Sequence, residues 1–276
     1  MKTYNQELAA NLRHWDELAR LHPRTAFYGH YLERLRGGAS ALHRLEISEV
    51  GDVAGKSLLH LQCHIGTESI SWSRLGARVT AVDFSADAIV QAERLATECE
   101  ADVRFIQSDV YELPAALDES FDVVFCSWGV LCWLPDIPAW ARVVSRFLKP
   151  GGIFYIAEFH PFMWVFDDTE DQLRVRYPYF GAGPERGDRD GSYADPDASL
   201  AHRTTFNWAF PIGLVVTALI ESGLRLEFLH EHPRCVSPVL GALLTRDDSI
   251  AGERWFRLRD GQATLPLAFS LRARKD

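Results

Sequence analysis

Five short apolar runs recur along the middle of the chain at intervals of roughly 20 to 30 residues, a rhythm typical of βαβ units. The runs are residues 57–61, 79–82, 103–106, 123–125 and 153–156. Parallel strands are buried on both faces and need a crossover helix between neighbours. The segment from about 56 to 159 is therefore predicted to form five strands with helices on both faces.

Helix start and stop signals place the crossover connections. A helix over 67–75 ends at Gly76, Ser85 is an N-cap for a helix to about Glu98, and a helix over 138–148 ends at the breaker 149–152. Farther along, the pattern predicts a helix over 212–222 and strands over 225–229 and 267–271.

The two remaining stretches differ from this pattern. Residues 1–50 have helical periodicity and are predicted to form an N-terminal cover on a domain spanning 51–276. Residues 160–207 carry four prolines and four glycines. This stretch is too long for an idle loop and too rich in turn residues for a core element, so it is interpreted as an inserted lid over a site.

Charge and composition narrow the classes of partner. The formal net charge is −9, from 29 Lys and Arg against 38 Asp and Glu, without a basic run that could follow a phosphate backbone. No apolar stretch has the length of a membrane span, and the five cysteines do not pair as C-x-x-C. We expect a cytoplasmic protein with reduced thiols that binds a small molecule, not nucleic acid or a membrane. Its oligomeric state is open, a homodimer included.

In an open α/β sheet the ligand binds beyond the carboxyl ends of the strands, where the strand order reverses. Two carboxylates follow successive predicted strands there. Asp83 is placed to accept hydrogen bonds from a ribose diol and Asp109 to accept an adenine amine, with Phe84 and Val110 sandwiching the base. The alternative is that both acids are solvated strand ends or helix caps.

The turn after the first strand, residues 62–66, indicates what the nucleoside carries. A dinucleotide needs glycines where the backbone approaches its pyrophosphate, but Gln62 and His64 occupy two of those places and only Gly66 remains. NAD and FAD are therefore disfavoured. S-adenosylmethionine, which has an amino-acid tail and no phosphate, suits the turn better.

Five sequence blocks together resemble the class I S-adenosylmethionine-dependent methyltransferases, in particular a subset acting on small molecules. The blocks are LLHLQCHIG at 58–66, VTAVDFS at 79–85, SDVYELP at 108–114, FDVVF at 121–125 and LKPGG at 148–152. The resemblance implies a Rossmann-like, mostly parallel sheet of seven strands, the last inserted antiparallel. It also implies S-adenosylmethionine as cofactor and S-adenosylhomocysteine as product.

The first block departs from the family pattern. His60 stands where the family usually has an acidic residue, and Gln62 and His64 replace two glycines. We hypothesise that His60 or Gln62 takes over the polar contact to the methionine moiety. The cofactor-binding candidates are His60, Gln62, Cys63, Gly66, Asp83, Phe84, Ser108, Asp109, Val110, Ser127 and Trp128.

Methyl transfer mainly requires alignment, and a base is needed only where the acceptor loses a proton. His160, directly after the fifth strand, is the candidate base; the alternative is a loop cap beside Pro161. The candidate acceptor-binding residues are Tyr28, Trp128, Trp133, His160 and Trp164, whose aromatic rings are equally consistent with core packing. His230 and His232 lack an evident third ligand, so no metal site is predicted.

These features favour an enzyme that transfers a methyl group to an O, N or C atom of a small metabolite, as in natural product biosynthesis. A second hypothesis is that the chain binds S-adenosylmethionine but catalyses a decarboxylation, cyclisation or pericyclic step. A third is a nucleoside-binding regulatory protein without turnover. The mass of the product distinguishes the first two hypotheses, and a closed acceptor cavity under the lid argues against the third.

Overall fold

The computed structural model describes residues 4–181, 183–188 and 190–276. Its strands in chain order are β1 Ser57–Leu61, β2 Arg78–Asp83, β3 Val103–Gln107, β4 Phe121–Ser127, β5 Leu148–Phe159, β6 Glu185–Asp188, β7 Thr204–Asn207, β8 Leu224–His232, β9 Arg234–Cys235, β10 Leu244–Asp247, β11 Trp255–Leu258 and β12 Ala268–Lys275. Its α-helices are α1 Asn5–Leu21, α2 Ala26–Arg36, α3 Arg44–Val50, α4 Thr67–Arg74, α5 Ala86–Glu98, α6 Leu113–Ala116, α7 Ile137–Phe147 and α8 Ile212–Glu221. Short 3₁₀ turns cover His22–Arg24, Leu131–Trp133, Pro161–Val165 and Gly241–Leu243.

Seven strands form the central sheet in the order β3-β2-β1-β4-β5-β12-β8. Neighbours from β3 to β5 are parallel, and β12 is antiparallel to both β5 and β8. The predicted Rossmann-like sheet with an inserted antiparallel strand is therefore confirmed. Because strand order reverses between β1 and β4, a crevice opens beyond their carboxyl ends.

Helices cover both faces of the sheet because alternate strand residues face opposite layers. On one face, Trp140, Val144 and Phe147 of α7 are fully buried against Phe154 of β5. On the other face, Trp72 of α4 is fully buried in a second cluster. Each such side chain contributes roughly 1.5–3 kcal/mol through burial, so the sheet is a rigid platform for the strand ends.

Two helices begin at a side-chain cap, Ser85 as predicted and Asp136, which was not predicted. The Ser85 hydroxyl accepts the N–H of Ala88 at the start of α5, and the Asp136 carboxylate accepts the N–H of Ala139 at the start of α7. Both side chains satisfy N–H groups that a helix start leaves without an intrahelical partner. The N-terminal region is helical as predicted, with α1, α2 and α3 within residues 4–50.

Residues 149–152 do not form the expected breaker loop between α7 and the next strand. Helix α7 ends at Phe147, and these residues are already part of β5, with Leu148 opposite Phe121 and a register shift before Val123. A Cβ on Gly152 would lie 2.9 Å from the Lys149 carbonyl oxygen. The glycine therefore allows the strand to continue through this irregularity.

The inserted segment 160–207 consists of turns and an antiparallel hairpin of β6 and β7. It is attached to the N-terminal region, since the Asn11 amide of α1 exchanges two 2.8 Å hydrogen bonds with the backbone of Phe206. The Glu17 carboxylate accepts the N–H groups of Ala201 and His202 at 2.8 and 2.7 Å. The lid role of this segment stays a prediction.

A second insertion, between β8 and β12, was not predicted. It contains β9, β10 and β11, which form a three-stranded antiparallel sheet. This small sheet packs on the inserted segment 160–207 through a shared apolar cluster that includes Met163, Leu243 and Trp255. Its strands have only two to four residues, too short for a periodic pattern to reveal them.

Candidate functional site

A cavity of about 280 Å³ lies at the carboxyl ends of the central strands. The first loop, residues 62–66, and the ends of β2 and β4 form its floor. Helices α1 and α2 and the inserted segment 160–207 close it from above. The predicted site residues that line it are Tyr28, Gln62, Cys63, Asp83, Phe84, Ser108, Asp109, Val110, Ser127, Trp128, Trp133 and Trp164.

The first loop keeps a glycine-like backbone with few glycines. Gln62, His64 and Gly66 have φ angles of 58°, 48° and 75°. A left-handed conformation costs a residue other than glycine roughly 1–2 kcal/mol, so Gln62 and His64 hold strain at the cavity floor. Gly66 does not line the cavity. A Cβ there would lie 2.9 Å from the ring of Phe105, so its role is to let the loop pack on β3.

Asp83 ends β2 on the cavity wall and is 7% exposed. One carboxylate oxygen accepts the N–H of His64 at 2.8 Å, and the other accepts the N–H of Ser85 at 3.0 Å. Burial raises the pKa of Asp83 to about 6. A carboxylate has about four acceptor positions, so Asp83 can accept two further donors from a ligand.

Asp109 follows β3 on the neighbouring part of the wall. Its carboxylate accepts the N–H of Tyr111 at 2.7 Å, and burial raises its pKa. Phe84 and Val110 line the cavity beside the two acids, as expected for residues that flank a planar ring. The structure thus brings together the two acids and the two apolar residues that sequence reasoning selected.

The backbone after β4 is held by one buried carboxylate. Glu158 is 4% exposed and accepts the N–H groups of Gly129, Val130, Leu131 and Phe159 at 2.5, 2.7, 3.0 and 2.6 Å. Burial raises the pKa of Glu158, and these four bonds oppose that shift. Glu158 does not line the cavity; it fixes the loop that does.

Trp128 begins this loop with a φ of 37°, and its indole N–H donates to the buried Glu46 carboxylate at 2.6 Å. Trp133 and Trp164 complete an apolar wall. Across the cavity, the hydroxyl of Tyr28 on α2 lies 2.5 Å from that of Tyr193 in the inserted segment. Aromatic side chains therefore surround most of the space that the two acids leave open.

Three predicted site residues lie outside the cavity lining, namely Gly66, described above, His60 and His160. His60 is fully buried under α4, where its Nδ1 lies 2.8 Å from the Ser69 hydroxyl, so the hypothesis that it contacts the methionine moiety is wrong. His160 Nδ1 accepts the N–H of Phe162 at 3.1 Å, and its Nε2 lies 3.0 Å from the Glu231 carboxylate. The structure places His160 as the cap that formed the alternative interpretation.

Sequence reasoning missed Glu68, in the first turn of α4. It lines the cavity, half-buried, and its carboxyl interacts with the Ser127 side chain. Burial and the neighbouring Glu46 raise the pKa of Glu68 to about 8. The signal was available, because Glu68 is the second residue after the first loop, but it resembled an ordinary helix N-terminal acid.

The charges around the cavity have one sign. Among the described residues that line it, Glu68, Asp83 and Asp109 are acidic, and there is no Lys or Arg. His64 also lines it, 2.8 Å from the ring of His22, and burial lowers the pKa of His64 to about 3. The cavity therefore favours a cationic or neutral ligand over an anionic one.

Candidate metal-ligating side chains do not cluster in the described part of the chain. Within residues 4–181, 183–188 and 190–276, no three His, Cys, Asp or Glu side chains are placed to hold an ion. His230 lies 2.7 Å from the Glu49 carboxylate, and His232 lies 2.9 Å from the Ser270 hydroxyl. No helix in these same ranges is long and apolar enough to cross a membrane.

Comparisons with known proteins agree with this geometry. Residues 59–156 match the family described as methyltransferase domain. The chain is 36% identical over 106 residues to a ubiquinone biosynthesis O-methyltransferase from Xanthomonas oryzae pv. oryzae, an overlap of 38% of this chain and 44% of that protein. The chain thus spans less than half the length of this curated relative.

Two solved structures resemble most of the chain. A putative S-adenosylmethionine-dependent methyltransferase from Listeria monocytogenes superposes with a TM-score of 0.58 at 16% identity, covering 84% of this chain and 97% of that one. The complex of DhpI with S-adenosylhomocysteine superposes with a TM-score of 0.56 at 17% sequence identity. The superposition covers 99% of this chain and 98% of that one. The chain has the Rossmann-like fold of these two structures, and its residues 59–156 match the methyltransferase domain family.

Proposed function

We propose that the protein is an S-adenosylmethionine-dependent methyltransferase that acts on an O, N or C atom of a small metabolite. The observation that carries the proposal is the pair of acids at the ends of β2 and β3. Asp83 and Asp109 open onto one cavity, beside two apolar residues suited to an adenine ring. The methyltransferase domain match and the similarity to a ubiquinone biosynthesis O-methyltransferase support it.

The residues present fit this cofactor better than a dinucleotide. Side chains on Gln62 and His64 stand where a pyrophosphate needs close backbone approach, and no Lys or Arg among the described lining residues offsets phosphate charge. Asp83 would hold the ribose, Asp109 the adenine amine, and Gln62 with Cys63 the start of the amino-acid tail. A cofactor with a positive sulfonium also suits the acidic wall.

When bound, S-adenosylmethionine supplies a methyl group on a sulfonium. In the net transfer the acceptor atom bonds to that carbon, and the carbon–sulfur bond breaks with its electron pair on sulfur. The acceptor releases a proton. The protein contributes alignment. Glu158 fixes the loop that carries Trp128 toward the cavity. The aromatic wall excludes water and holds an uncharged or cationic acceptor with an aromatic part.

The inserted segment 160–207 and the N-terminal cover act together as a lid in this proposal. The support is their mutual hydrogen bonding through Asn11 and the Tyr28–Tyr193 contact at the cavity. Opening of this unit admits the acceptor and releases product. We further propose a cytoplasmic protein without a nucleic-acid partner, supported by its five free thiols and net charge of −9.

Calorimetric titration with S-adenosylmethionine, S-adenosylhomocysteine and NAD tests the proposal. We expect the first two to bind and NAD not to bind. Asp83→Asn should weaken S-adenosylmethionine by about tenfold or more, since an amide nitrogen would face the ribose hydroxyls where an acceptor oxygen is needed. The control is Asp102→Asn, whose exposed side chain lies just before β3. No nucleoside binding by the wild type would refute the proposal.

A labelling experiment then tests turnover. The protein is incubated with S-adenosylmethionine that carries an isotope-labelled methyl group, and phenols, amines and enols are offered as acceptors. The proposal expects the label on an acceptor and stoichiometric S-adenosylhomocysteine. A changed acceptor mass without label, with the cofactor unconsumed, would favour the non-methylating alternative instead.

A further inference from the structure

The cavity holds a carboxylate that the adenosine half of the proposed ligand does not use. Glu68 lines the cavity at the start of α4, and it makes no ion pair with another residue of the described part of the chain. Its recorded partner is the Ser127 side chain at the end of β4. Burial without a neighbouring cation keeps this carboxyl group largely in its neutral form, and a cationic ligand group would stabilise its charged form. Its position at the wall therefore points to a cationic ligand group.

The position of Glu68 relative to the ribose-binding acid indicates which ligand group that is. The Cys63 thiol in the first loop lies within electrostatic range of both Asp83 and Glu68. Ser127, which interacts with Glu68, ends β4, and β4 lies on the side of β1 opposite to β2 and β3. Glu68 therefore lies beside the first loop, on the side of Asp83 away from Asp109. In a ligand whose ribose is at Asp83 and whose base is at Asp109, the amino-acid tail extends in this direction.

Of the two residues expected from the sequence to contact that tail, Gln62 lines the cavity and His60 does not. His60 stands where the resembling family carries an acid, but it is sealed under α4 and hydrogen-bonded to Ser69. Glu68 and Ser69 are adjacent on α4, so one turn of helix both covers His60 and presents a carboxylate to the cavity. The acid is thus present on the helix after the loop instead of on the strand before it.

We propose that Glu68, supported by Ser127, binds the α-ammonium group of S-adenosylmethionine. The inference rests on the proposed function and adds to it a residue for the amino-acid end of the ligand. Charge-assisted hydrogen bonds between a carboxylate and an ammonium are among the stronger contacts in proteins. Glu68 is a cofactor-binding residue in this proposal, not a base for the acceptor.

The ionisable groups around Glu68 determine whether its own proton release can be measured when a ligand binds. Those that face it are Glu46 of α3, Tyr28 and Tyr31 of α2, Tyr193 of the inserted segment and Cys63 of the first loop. Burial raises the pKa of each tyrosine and of the cysteine, so these four are neutral at pH 7. Glu68, largely protonated at pH 7 in the free protein, should release nearly one proton when an ammonium group binds.

Calorimetry at pH 7 in two buffers of different ionisation enthalpy tests the assignment with three probes. S-adenosylmethionine and S-adenosylhomocysteine both carry the ammonium, whereas 5′-methylthioadenosine lacks the amino-acid tail. Glu68→Gln should raise the Kd of the first two by about tenfold or more, abolish proton release, and leave the third within about twofold. Glu93→Gln on the exposed surface of α5 is the matched control and should change none of these values.

Each other outcome has a distinct meaning. Unchanged S-adenosylmethionine affinity in Glu68→Gln, or equal weakening of 5′-methylthioadenosine, overturns the assignment while the proposed function stands. Wild-type binding without proton release also overturns it. Failure of the wild type to bind S-adenosylmethionine overturns the proposed function, and the inference falls with it. Retained 5′-methylthioadenosine binding shows that the variant is folded.

Discussion

The four backbone bonds to Glu158 give the sharpest test of how the cavity loop is held. The change is Glu158→Gln, which keeps the shape of the side chain but removes acceptor capacity. A glutamine oxygen can accept two N–H groups, and its NH₂ group then faces the other two donors. Gly129, Val130, Leu131 and Phe159 would compete for one oxygen.

The expected magnitude follows from the donors left without an acceptor. A buried donor that loses its partner costs about 1–3 kcal/mol, so two of them cost roughly 2–6 kcal/mol. Replacing a buried charge by a neutral amide returns part of this, as the raised pKa of Glu158 indicates. We expect the free energy of unfolding to fall by about 2–4 kcal/mol.

Urea unfolding followed by circular dichroism measures this change. Glu231→Gln is the matched control, because its side chain is 58% exposed at the same end of the sheet and its pairing with His160 is worth less than about 1 kcal/mol. The loop also forms the cavity wall, so Glu158→Gln should weaken S-adenosylmethionine binding as well. Equal stability of the two variants would refute the argument that Glu158 fixes the loop.

Three further results are expected. The folded-state pKa of Glu68 is raised from 4.5 to about 8, so the unliganded wild type should lose stability as pH rises through this window. Glu68→Gln should lose less, by at most about 4 kcal/mol, because Asp83 and the other buried acids still contribute to the loss. Parallel melting curves of the two proteins across pH would contradict this. His160→Ala should leave the Kd for S-adenosylmethionine unchanged in calorimetry. Thermal melting should show a loss of stability of about 1 kcal/mol from the lost cap. A large loss of affinity would indicate that His160 contributes to the binding site. Gly66→Ala should destabilise the fold by about 2 kcal/mol or more, because Gly66 has a φ of 75° and a Cβ there would clash with Phe105. Phe105→Leu should partly restore the stability of this variant. An unchanged stability of Gly66→Ala would show that the loop relaxes freely.

The central sheet could be predicted because each strand and helix carries its own local signal. Buried parallel strands give apolar runs, and a cap such as Ser85 marks where a helix begins. The two acids of the site follow from topology alone, since parallel strands end at one edge. Asp83 and Asp109 were therefore predictable without any knowledge of side-chain contacts.

Other parts of the site depend on contacts that no local pattern records. Tyr193 reaches the cavity only because the inserted segment folds back onto α2. The burial of His60 depends on how α4 packs over β1, and the position of His160 depends on Glu231 from a strand about 70 residues later. Strands β9 to β11 are too short to produce a periodic signal, so the small sheet was missed.

The attachment of α1 to the inserted segment also bears on how the protein matures during synthesis. Asn11 leaves the ribosome early, but its partner Phe206 is 195 residues later in the chain. At about 5–20 residues per second, α1 waits roughly 10–40 seconds for the strand that anchors it. We therefore expect a nascent chain truncated after β5 to have a nearly complete nucleotide-binding core, with a first helix that contacts α5 through Asp16 and Ser85 but lacks the inserted segment and is more open to proteases.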